Sequence, residues 1–330
     1  MASDTALQAI QKIIKKYGEE AVYRLGEDKI AFINVIPTGS LVLDIALGVG
    51  GFPRGRISEV YGTEMSGKTT LCLHTVGNCQ RLGGRVAYID TENALDLDWA
   101  RKCGVDVASL YVSQPPTSEQ ALDIAEILLS DFDLVIIDSV AAMLPGAELE
   151  GEISDSHMAV QARLMGRAMR RLLNPVKMAN ACIIFTNQLR STMAMFGPPE
   201  ETTGGKALRY AASVRLEVKR KEMIKEKEEV VGNIVRVRVS KNRVAPPFKV
   251  ADFEIYYDEG ISLTSELITY AREVGIIEGG GAGWFTVNDK GEKKKVQGMP
   301  ALRALFKEDV VLRTNTENSI RQSYGLPLKG

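Results

Sequence analysis

The sequence has 330 residues, of which 45% are hydrophobic and 25% are charged, and its formal net charge is −1. These values are typical of a globular protein with one large core and room for a smaller domain, and no stretch approaches the roughly 18 consecutive apolar residues of a membrane helix. A net charge near zero confines any contact with nucleic acid to local basic patches. The N-terminal segment has no apolar signal sequence, so we expect a cytoplasmic protein without a membrane partner.

Residues 5–17 predict an amphipathic helix. Apolar residues such as Leu7, Ile10 and Ile14 recur at helical spacing, with lysines on the other face. A single helix cannot bury such a stripe by itself, so it packs either on its own domain or on a neighbouring subunit. We assign residues 1–33 to this helix and a linker, with a role in packing between subunits.

Residues 34–262 predict an α/β core, a mainly parallel sheet covered by helices on both faces. Short apolar segments rich in β-branched residues alternate with helical patterns, which is typical of buried parallel strands. The predicted strands are 56–62, 85–92, 110–115, 134–140 and 181–189, and the predicted helices are 67–82, 95–103, 118–130 and 157–178. Ligands of such sheets bind at the carboxyl ends of the strands.

The composition changes after this α/β pattern. Beyond residue 211 the segments alternate apolar and polar residues, which predicts antiparallel strands added to one edge of the sheet. Residues 263–330 begin with a helix, continue through a glycine-rich turn and a basic hairpin, and return to a helix. We assign this last segment to a small, separate α/β domain.

A glycine-rich loop follows the first predicted strand of the core. Gly62-x-x-x-x-Gly67-Lys68-Thr69 fits the phosphate-loop pattern, with a strand before it and a helix after it. In such loops backbone N–H groups surround the phosphates, the lysine bridges the β- and γ-phosphates, and the threonine hydroxyl binds magnesium. We expect the nucleotide to contact Gly62, Thr63, Glu64, Met65, Ser66, Gly67, Lys68, Thr69 and Thr70, and we count Lys68 with the catalytic residues.

Polar residues end three further strands of the predicted sheet. Asp138 suits a second magnesium ligand beside the threonine of the loop. Glu92 could activate water for attack on the γ-phosphate, or it could cap the following helix. Gln188, preceded by Asn187, could contact the γ-phosphate and move after hydrolysis, or it could satisfy backbone groups at the strand end. The spacing leaves both pairs of alternatives open.

Longer segments resemble one family in order and spacing. They are GGFPRGRISEVYG, YIDTENALD, EGEISDSHMAVQARLMGRAMRRL and FGPPEETTGGKALRYAASVRLEV. They resemble the bacterial RecA recombinase family, and the resemblance covers nearly the whole chain. It implies a RecA-type ATPase core with ATP and Mg²⁺ as cofactors. It also implies filaments on single-stranded DNA, DNA-stimulated ATP hydrolysis, pairing and strand exchange with duplex DNA, and stimulation of LexA repressor self-cleavage in the SOS response.

The resemblance also implies roles for residues around the nucleotide. It makes Glu92 the base that activates water and Gln188 the sensor of the γ-phosphate. It makes Asp96 and Trp99 the residues that contact adenine, with tryptophan where the family usually has tyrosine, and both rings can stack on a base. For Glu92 the resemblance thus favours activation of water over capping, and for Gln188 it favours contact with the γ-phosphate over contact with backbone groups.

Contacts to a neighbouring subunit and to DNA are implied in the same way. In SKNRVAPPFK, Lys241 and Arg243 resemble the residues that reach the ATP of the adjacent subunit, with arginine in place of the usual lysine. Two DNA-binding loops are expected at about 148–160 and 190–206. The expected DNA contacts are His157, Met158, Arg163, Arg170, Met195, Phe196, Thr202, Gly204, Gly205 and Lys206. The basic hairpin of the C-terminal domain would attract duplex DNA.

The phosphate loop departs from the family pattern at two positions. Thr63 replaces the usual proline, and Met65 is also unusual, so we expect ATP binding to persist with altered turnover. One alternative to a recombinase is a nucleotide-gated DNA-binding scaffold that hydrolyses little ATP. Another is a helicase with the same core, which the spacing of the two expected DNA loops disfavours.

Overall fold

The structure of the protein is a computed structural model. It describes residues 2–22, 33–146, 158–191, 200–289 and 291–329. Contacts divide the chain into two compact units, Met1–Asn34 and Val35–Gly330. Among the described helices, none has the length and apolarity needed to cross a membrane.

The first unit contains a long amphipathic helix, α1 (Ala2–Tyr17), followed by a 3-10 helix (Glu19–Ala21). Lys15 and Lys16 lie in the last turn of α1, where positive charge is favourable to the helix dipole. Leu7, on the apolar stripe of α1, is 50% exposed.

The second unit is built on one large sheet. Its strands are β3 (Arg56–Gly62), β4 (Val86–Asp90), β5 (Tyr111–Ser113), β6 (Leu134–Asp138), β7 (Cys182–Ser191), β8 (Glu200–Thr202), β9 (Val214–Glu226), β10 (Glu229–Asn242), β11 (Val250–Tyr256) and β12 (Gly260–Ile261). In the described ranges they are ordered β12-β11-β10-β9-β3-β7-β6-β4-β5, and β8 pairs with β7. The strands from β9 to β5 in this order are parallel, whereas β10, β11 and β12 are antiparallel.

Helices cover both faces of this sheet. They are α2 (Leu41–Leu47), α3 (Lys68–Arg81), α4 (Leu97–Lys102), α5 (Ser118–Leu128), α6 (Met158–Ala179) and α7 (Lys206–Ala211). One core cluster packs α3 residues such as Leu71 and Val76 against one face. A second cluster packs α5 and α6, with Ala121 and Met169, against the other face. β1 (Val35–Ile36) and β2 (Phe52–Pro53) form a small sheet of their own.

The C-terminal segment has its own core within the second unit. Its elements are α8 (Leu263–Glu273), β13 (Ile277–Gly279), β14 (Trp284–Asp289), β15 (Glu292–Gln297), α9 (Met299–Glu308) and α10 (Val310–Ser323). Leu267, Phe285 and Phe306 pack together there, and Leu41 of α2 joins the same cluster.

Two buried polar contacts tie this segment to α2. The guanidinium of Arg321 donates to the carboxylate of Asp44 at 2.7 Å, and both side chains are almost completely buried. The carboxylate of Glu266 accepts a hydrogen bond from the backbone N–H of Val42 at 3.1 Å, in the first turn of α2. The short helix α2 is therefore the point at which the C-terminal segment attaches to the core.

The predicted α/β class is confirmed, and several elements differ from their predictions. α2 was not predicted, because seven residues are too few to display a helical period. β9 pairs in parallel with β3 and only then turns into the antiparallel strands. The expected terminal helix is divided at Asp309, whose side chain caps α10 by accepting from the backbone N–H of Leu312.

Candidate nucleotide and DNA site

The phosphate loop joins β3 to α3. Gly62 lies against β9, where an added Cβ would come within 2.1 Å of the carbonyl oxygen of Val218. Gly67 has a φ of 101°, which favours glycine, and α3 begins directly after it at Lys68. Met65 also takes a left-handed conformation, with a φ of 54°, and its side chain is 86% exposed. The unusual methionine therefore projects from the loop while the backbone completes its turn.

A cavity of about 400 Å³ adjoins the loop. Residues 65–70 form one side of it, together with Trp99 of α4, whose indole N–H donates to the hydroxyl of Thr70 at 3.2 Å. Asp96 caps α4, accepting from the backbone N–H groups of Asp98 and Trp99. A larger cavity of about 590 Å³ lies at α8 and α9, away from the loop. Of these two cavities, the smaller is the one lined by residues of the loop, so it is the candidate nucleotide site.

The two expected magnesium ligands are in direct contact. The hydroxyl of Thr69 donates to Asp138 Oδ2 at 2.8 Å. Tyr88 donates to the same oxygen at 2.6 Å, and Thr186 donates to Oδ1. A hydroxyl and a carboxylate at one point are the hard oxygen ligands that Mg²⁺ prefers.

The loop also has polar groups that fit a phosphate. Lys68 Nζ donates to the loop's own carbonyl oxygens, at 2.8 Å to Thr63 and 3.4 Å to Gly62. Ser66 Oγ is buried and has no hydrogen-bond partner among the described residues. Burial lowers the pKa of Lys68, and the carboxylates of Asp138 and Glu92 oppose this effect. An anionic ligand would satisfy the lysine and the serine together.

Glu92 and Gln188 lie beside this site and contact each other. Ser139 Oγ donates to Glu92 Oε1 at 2.5 Å, and Gln188 Nε2 approaches the same oxygen at 3.5 Å. The backbone N–H of Glu92 donates to the carbonyl of Asp138 at 3.3 Å, so the turn after β4 is joined to the end of β6. Because α4 is capped by Asp96, capping does not account for Glu92.

Lys241 and Arg243 lie at the end of β10. Lys241 Nζ donates to the carbonyls of Arg209 and Tyr210 at 2.8 Å and 3.0 Å, and Arg243 donates to the carbonyl of Tyr210 at 3.1 Å. Burial, followed by the cations Arg243 and Arg215, lowers the pKa of Lys241 to about 8. Among the described residues that line the cavity at the loop, neither Lys241 nor Arg243 is present.

The expected DNA contacts of the first loop fall partly on a helix. Residues 158–160 belong to α6 rather than to a loop, because the helical pattern of this segment starts at Met158. Arg163 and Arg170 are exposed on α6, about two turns apart and so on one face. His157 and most of this loop lie outside the described residues.

The second expected loop is anchored at its base. β8 pairs with β7, with Thr202 opposite Leu189, and α7 begins at Lys206. Gly204 and Gly205 have φ angles of 84° and 74°. An added Cβ on these two glycines would come within 2.9 Å of Val140 and 3.0 Å of Ala162. Met195 and Phe196 lie outside the described residues.

Several residues of the site were not anticipated from the sequence. The lining of the cavity also includes Arg220 of β9, Asn233 of β10 and Tyr257, which directly follows β11. Asn233 Nδ2 donates to the hydroxyl of Tyr257 at 3.0 Å. Ser139 was also missed, although it directly follows the predicted strand-end residue Asp138. The position of Ser139 directly after Asp138 could have indicated that it belongs to the site. Nothing in the sequence around Arg220, Asn233 and Tyr257 indicated that they line the cavity.

These features define the class of protein. A phosphate loop between a parallel strand and a helix, with carboxylates on neighbouring strand ends, is the arrangement of a P-loop nucleoside triphosphatase.

Comparison with known proteins gives the particular family. The family model for the RecA N-terminal domain matches residues 5–262. Protein RecA of Chlorobaculum parvum is 50% identical over 319 residues, covering 96% of this chain and 91% of the relative. Protein RecA of Clostridium acetobutylicum and of Geobacter sulfurreducens are each 48% identical, over 97% and 98% of this chain and 92% and 95% of the relatives. The chain belongs to the RecA family.

Family membership confirms the activity that the resemblance implied. The protein is a DNA recombinase with DNA-dependent ATPase activity, and it uses ATP and Mg²⁺. As in the rest of the family, it binds single- and double-stranded DNA, forms filaments, and acts in DNA repair and the SOS response with a LexA-type repressor. The comparisons do not favour the scaffold or the helicase alternative.

Proposed function

We propose that Glu92 is the catalytic base of this recombinase and that Gln188 reports the nucleotide state to DNA. One observation carries the proposal: Glu92 Oε1 accepts from Ser139 Oγ at 2.5 Å and is approached by Gln188 Nε2 at 3.5 Å, beside the phosphate loop. The serine orients the carboxylate, whose other oxygen accepts a proton from the attacking water. A γ-phosphate that attracts the amide of Gln188 would move the start of the second DNA loop.

The remaining nucleotide contacts are proposed from the loop, from the cavity and, for Asp96, which is not among the described residues lining the cavity, from the family resemblance. The backbone and Lys68 bind the phosphates, and Trp99 stacks on the adenine ring with Asp96 at the base edge. Thr69 and Asp138 hold Mg²⁺. When bound, the ion would neutralise the charge of the phosphates.

Glu92→Gln tests the role of the base. The amide keeps the shape of the side chain but accepts no proton, so DNA-stimulated hydrolysis should fall by roughly 10² to 10⁴ while ATP-dependent binding to single-stranded DNA persists. Asp123→Asn is the matched control, because this exposed acid lies on α5 and pairs with Arg171. Unchanged turnover in Glu92→Gln would show that another group activates the water.

We propose that Lys241 and Arg243 act on the ATP of the neighbouring subunit. Support comes from their absence from the lining of the subunit's own cavity, as far as the described residues show, and from their hydrogen bonds to the backbone carbonyls of Arg209 and Tyr210, which a phosphate could replace. Cations supplied in trans would make hydrolysis depend on the filament.

Mixed filaments test this arrangement in trans. Lys68→Ala and Lys241→Ala subunits should each be inactive alone. A mixture should recover activity, because some interfaces then combine an intact loop from one subunit with an intact Lys241 from the next. Mixtures that stay inactive, although both variants enter filaments, would refute the arrangement.

The DNA-facing residues are proposed on similar grounds. Exposed Arg163 and Arg170 on α6 are suited to phosphate contacts. The backbone around Thr202, Gly204 and Gly205 approaches DNA closely, and Lys206 adds charge at the start of α7. His157, Met158, Met195 and Phe196 complete the proposed set.

The proposed organisation has three parts. Residues 1–33 pack between subunits, 34–262 form the ATPase core, and 263–330 contact duplex DNA through exposed lysines such as Lys293 and Lys295. We further propose that the protein works in the cytoplasm, which is supported by the lack of a membrane-crossing helix among those described.

A further inference from the structure

A buried ion pair of the main sheet has no role in the site as described. Glu59 of β3 is completely buried, and its Oε2 accepts from Nε of Arg215 in β9, which is 7% exposed. The two residues are register partners in neighbouring parallel strands. A buried ion pair is often no more stabilising than apolar residues of similar volume. Its presence therefore calls for a functional explanation.

The other oxygen of Glu59 leads to the ATP site. Glu59 Oε1 accepts a hydrogen bond from Asn187 Nδ2 at 3.0 Å. The same nitrogen donates to the carbonyl of Thr203 at 3.0 Å, and Asn187 Oδ1 accepts from the backbone N–H of Gln188 at 2.9 Å. Glu59 thus fixes the residue before Gln188 and, through it, the backbone that precedes the paired glycines of the second loop.

Arg215 leads in the opposite direction, toward Lys241. Lys241 of β10 is the register partner of Arg215, so Glu59, Arg215 and Lys241 lie side by side across three neighbouring strands. The guanidinium of Arg215 also lies 4.4 Å from the ring centroid of Tyr61. The hydroxyl of Tyr61 donates to Ser240 Oγ at 2.9 Å, and Ser240 directly precedes Lys241.

Four charged groups act on Lys241. They are Arg243 just beyond its own strand, Arg215 on β9, Glu59 on β3 and Arg209 on α7. Burial lowers the pKa of Lys241 most, the three cations lower it further, and Glu59 raises it. Without the charge of Glu59, Arg215 would be a buried cation lacking this carboxylate, and the pKa of Lys241 would fall further.

We propose that Glu59 is a positioning residue of the ATPase, whose buried carboxylate holds Gln188 through Asn187 and offsets the charge of Arg215 beside Lys241. The inference rests on the roles proposed above for Gln188 and Lys241. One negative charge then lies between the residue that senses the subunit's own nucleotide and the cation that reaches the neighbour's nucleotide. Glu59 acts only through these residues and touches no substrate.

Glu59→Gln tests this role in the full chain. The amide keeps an acceptor for Asn187 but removes the charge opposite Arg215. In filaments on single-stranded DNA, we expect kcat for ATP hydrolysis to fall about tenfold or more. The alkaline limb of the kcat–pH profile should move to lower pH by roughly one unit, because Lys241 loses its proton earlier. Nucleotide affinity of the free subunit should change less than about twofold.

Two further variants separate positioning from general damage. Adding Arg215→Gln to Glu59→Gln removes the uncompensated cation, so the alkaline limb should return toward its wild-type position while kcat stays low. Asp44→Asn breaks a different buried pair, with Arg321, and should lower stability without moving the alkaline limb.

An unmoved alkaline limb in Glu59→Gln, or an equal movement in Asp44→Asn, overturns the proposal. If Glu59→Gln does not fold, the double variant decides, and a wild-type kcat in it overturns the proposal.

Lys241→Gln distinguishes failure of this inference from failure of the proposed function. Wild-type hydrolysis by Lys241→Gln filaments would refute the action of Lys241 in trans. Loss of hydrolysis in Lys241→Gln, together with wild-type behaviour of Glu59→Gln, would refute only the role of Glu59.

Discussion

Glu266 should make the attachment of the C-terminal segment dependent on pH. It lies on α8, is 4% exposed, and accepts from the backbone N–H of Val42 through one oxygen, while the other oxygen has no hydrogen-bond partner among the described residues. Burial raises the pKa of Glu266 from 4.5 to about 8, although bonds from Ser40 and the start of α2 oppose this. At neutral pH the folded protein therefore keeps this acid mostly protonated, whereas the unfolded chain does not.

The sign and size of the effect follow from this difference in proton binding. A pKa raised in the folded state contributes stability that is complete below about pH 4.5 and is lost as the pH rises through about 8. Between about pH 7 and pH 9 the folded protein releases the proton and the unfolded chain has none to release. The free energy of unfolding should therefore fall by about 1.4 kcal/mol in this interval because of Glu266.

Glu266→Gln isolates this contribution, because the amide is neutral at every pH. Urea unfolding of the free protein at about pH 7 and about pH 9 should show wild type losing about 1.4 kcal/mol relative to Glu266→Gln. Glu273→Gln, an exposed change on the same helix, should follow wild type. Parallel pH dependences for wild type and Glu266→Gln would refute a buried acid that is protonated at neutral pH.

Three further predictions concern the site and the core. Trp99→Ala should weaken binding of a fluorescent ATP analogue about tenfold while Trp99→Tyr stays near wild type, and equal affinities for all three would exclude stacking on Trp99. Asp44→Asn should lower the free energy of unfolding in urea by about 1.5 to 3 kcal/mol, because Arg321 loses one buried charged partner but keeps its ion pair with Glu317; a loss below about 0.5 kcal/mol would contradict that reasoning. Replacing both Arg163 and Arg170 by alanine should reduce the salt dependence of single-stranded DNA binding by about 1.4 in the slope of log K against log salt, whereas an unchanged slope would remove both from the DNA contacts.

The strand ends were the most predictable part of the site. The phosphate loop is a local pattern, and β6 ends at Asp138 as its apolar sequence predicts. The roles of Glu92 and Gln188 stayed ambiguous from spacing alone, because the carboxylate could also cap the following helix and the amide could also satisfy backbone groups at the strand end. To predict that Glu92 and Gln188 contact each other, one would have to know the order of β4, β6 and β7 in the sheet, and sequence spacing does not give that order.

The wall opposite the loop could not have been predicted locally. Asn233 on β10 and Tyr257 just after β11 lie more than a hundred residues beyond the loop, and the alternating pattern of these two strands indicates only an edge position. They reach the cavity because β9 pairs with β3 and the antiparallel strands follow it in the sheet. By contrast, the division of the terminal helix was not predicted but could have been, since aspartate, the residue at position 309, is a good helix cap.

The three hydroxyls around Asp138 have a consequence for nucleotide exchange. Thr69, Tyr88 and Thr186 all donate to this one carboxylate, and Tyr88 and Thr186 come from the strands on either side of it. The carboxylate is therefore oriented by the sheet itself and keeps its direction when the nucleotide leaves. Thr69, which lies on α3 and not on the sheet, is the donor that would change partner if Mg²⁺ bound here as proposed. Reloading with ATP would then require little rearrangement of the carboxylate.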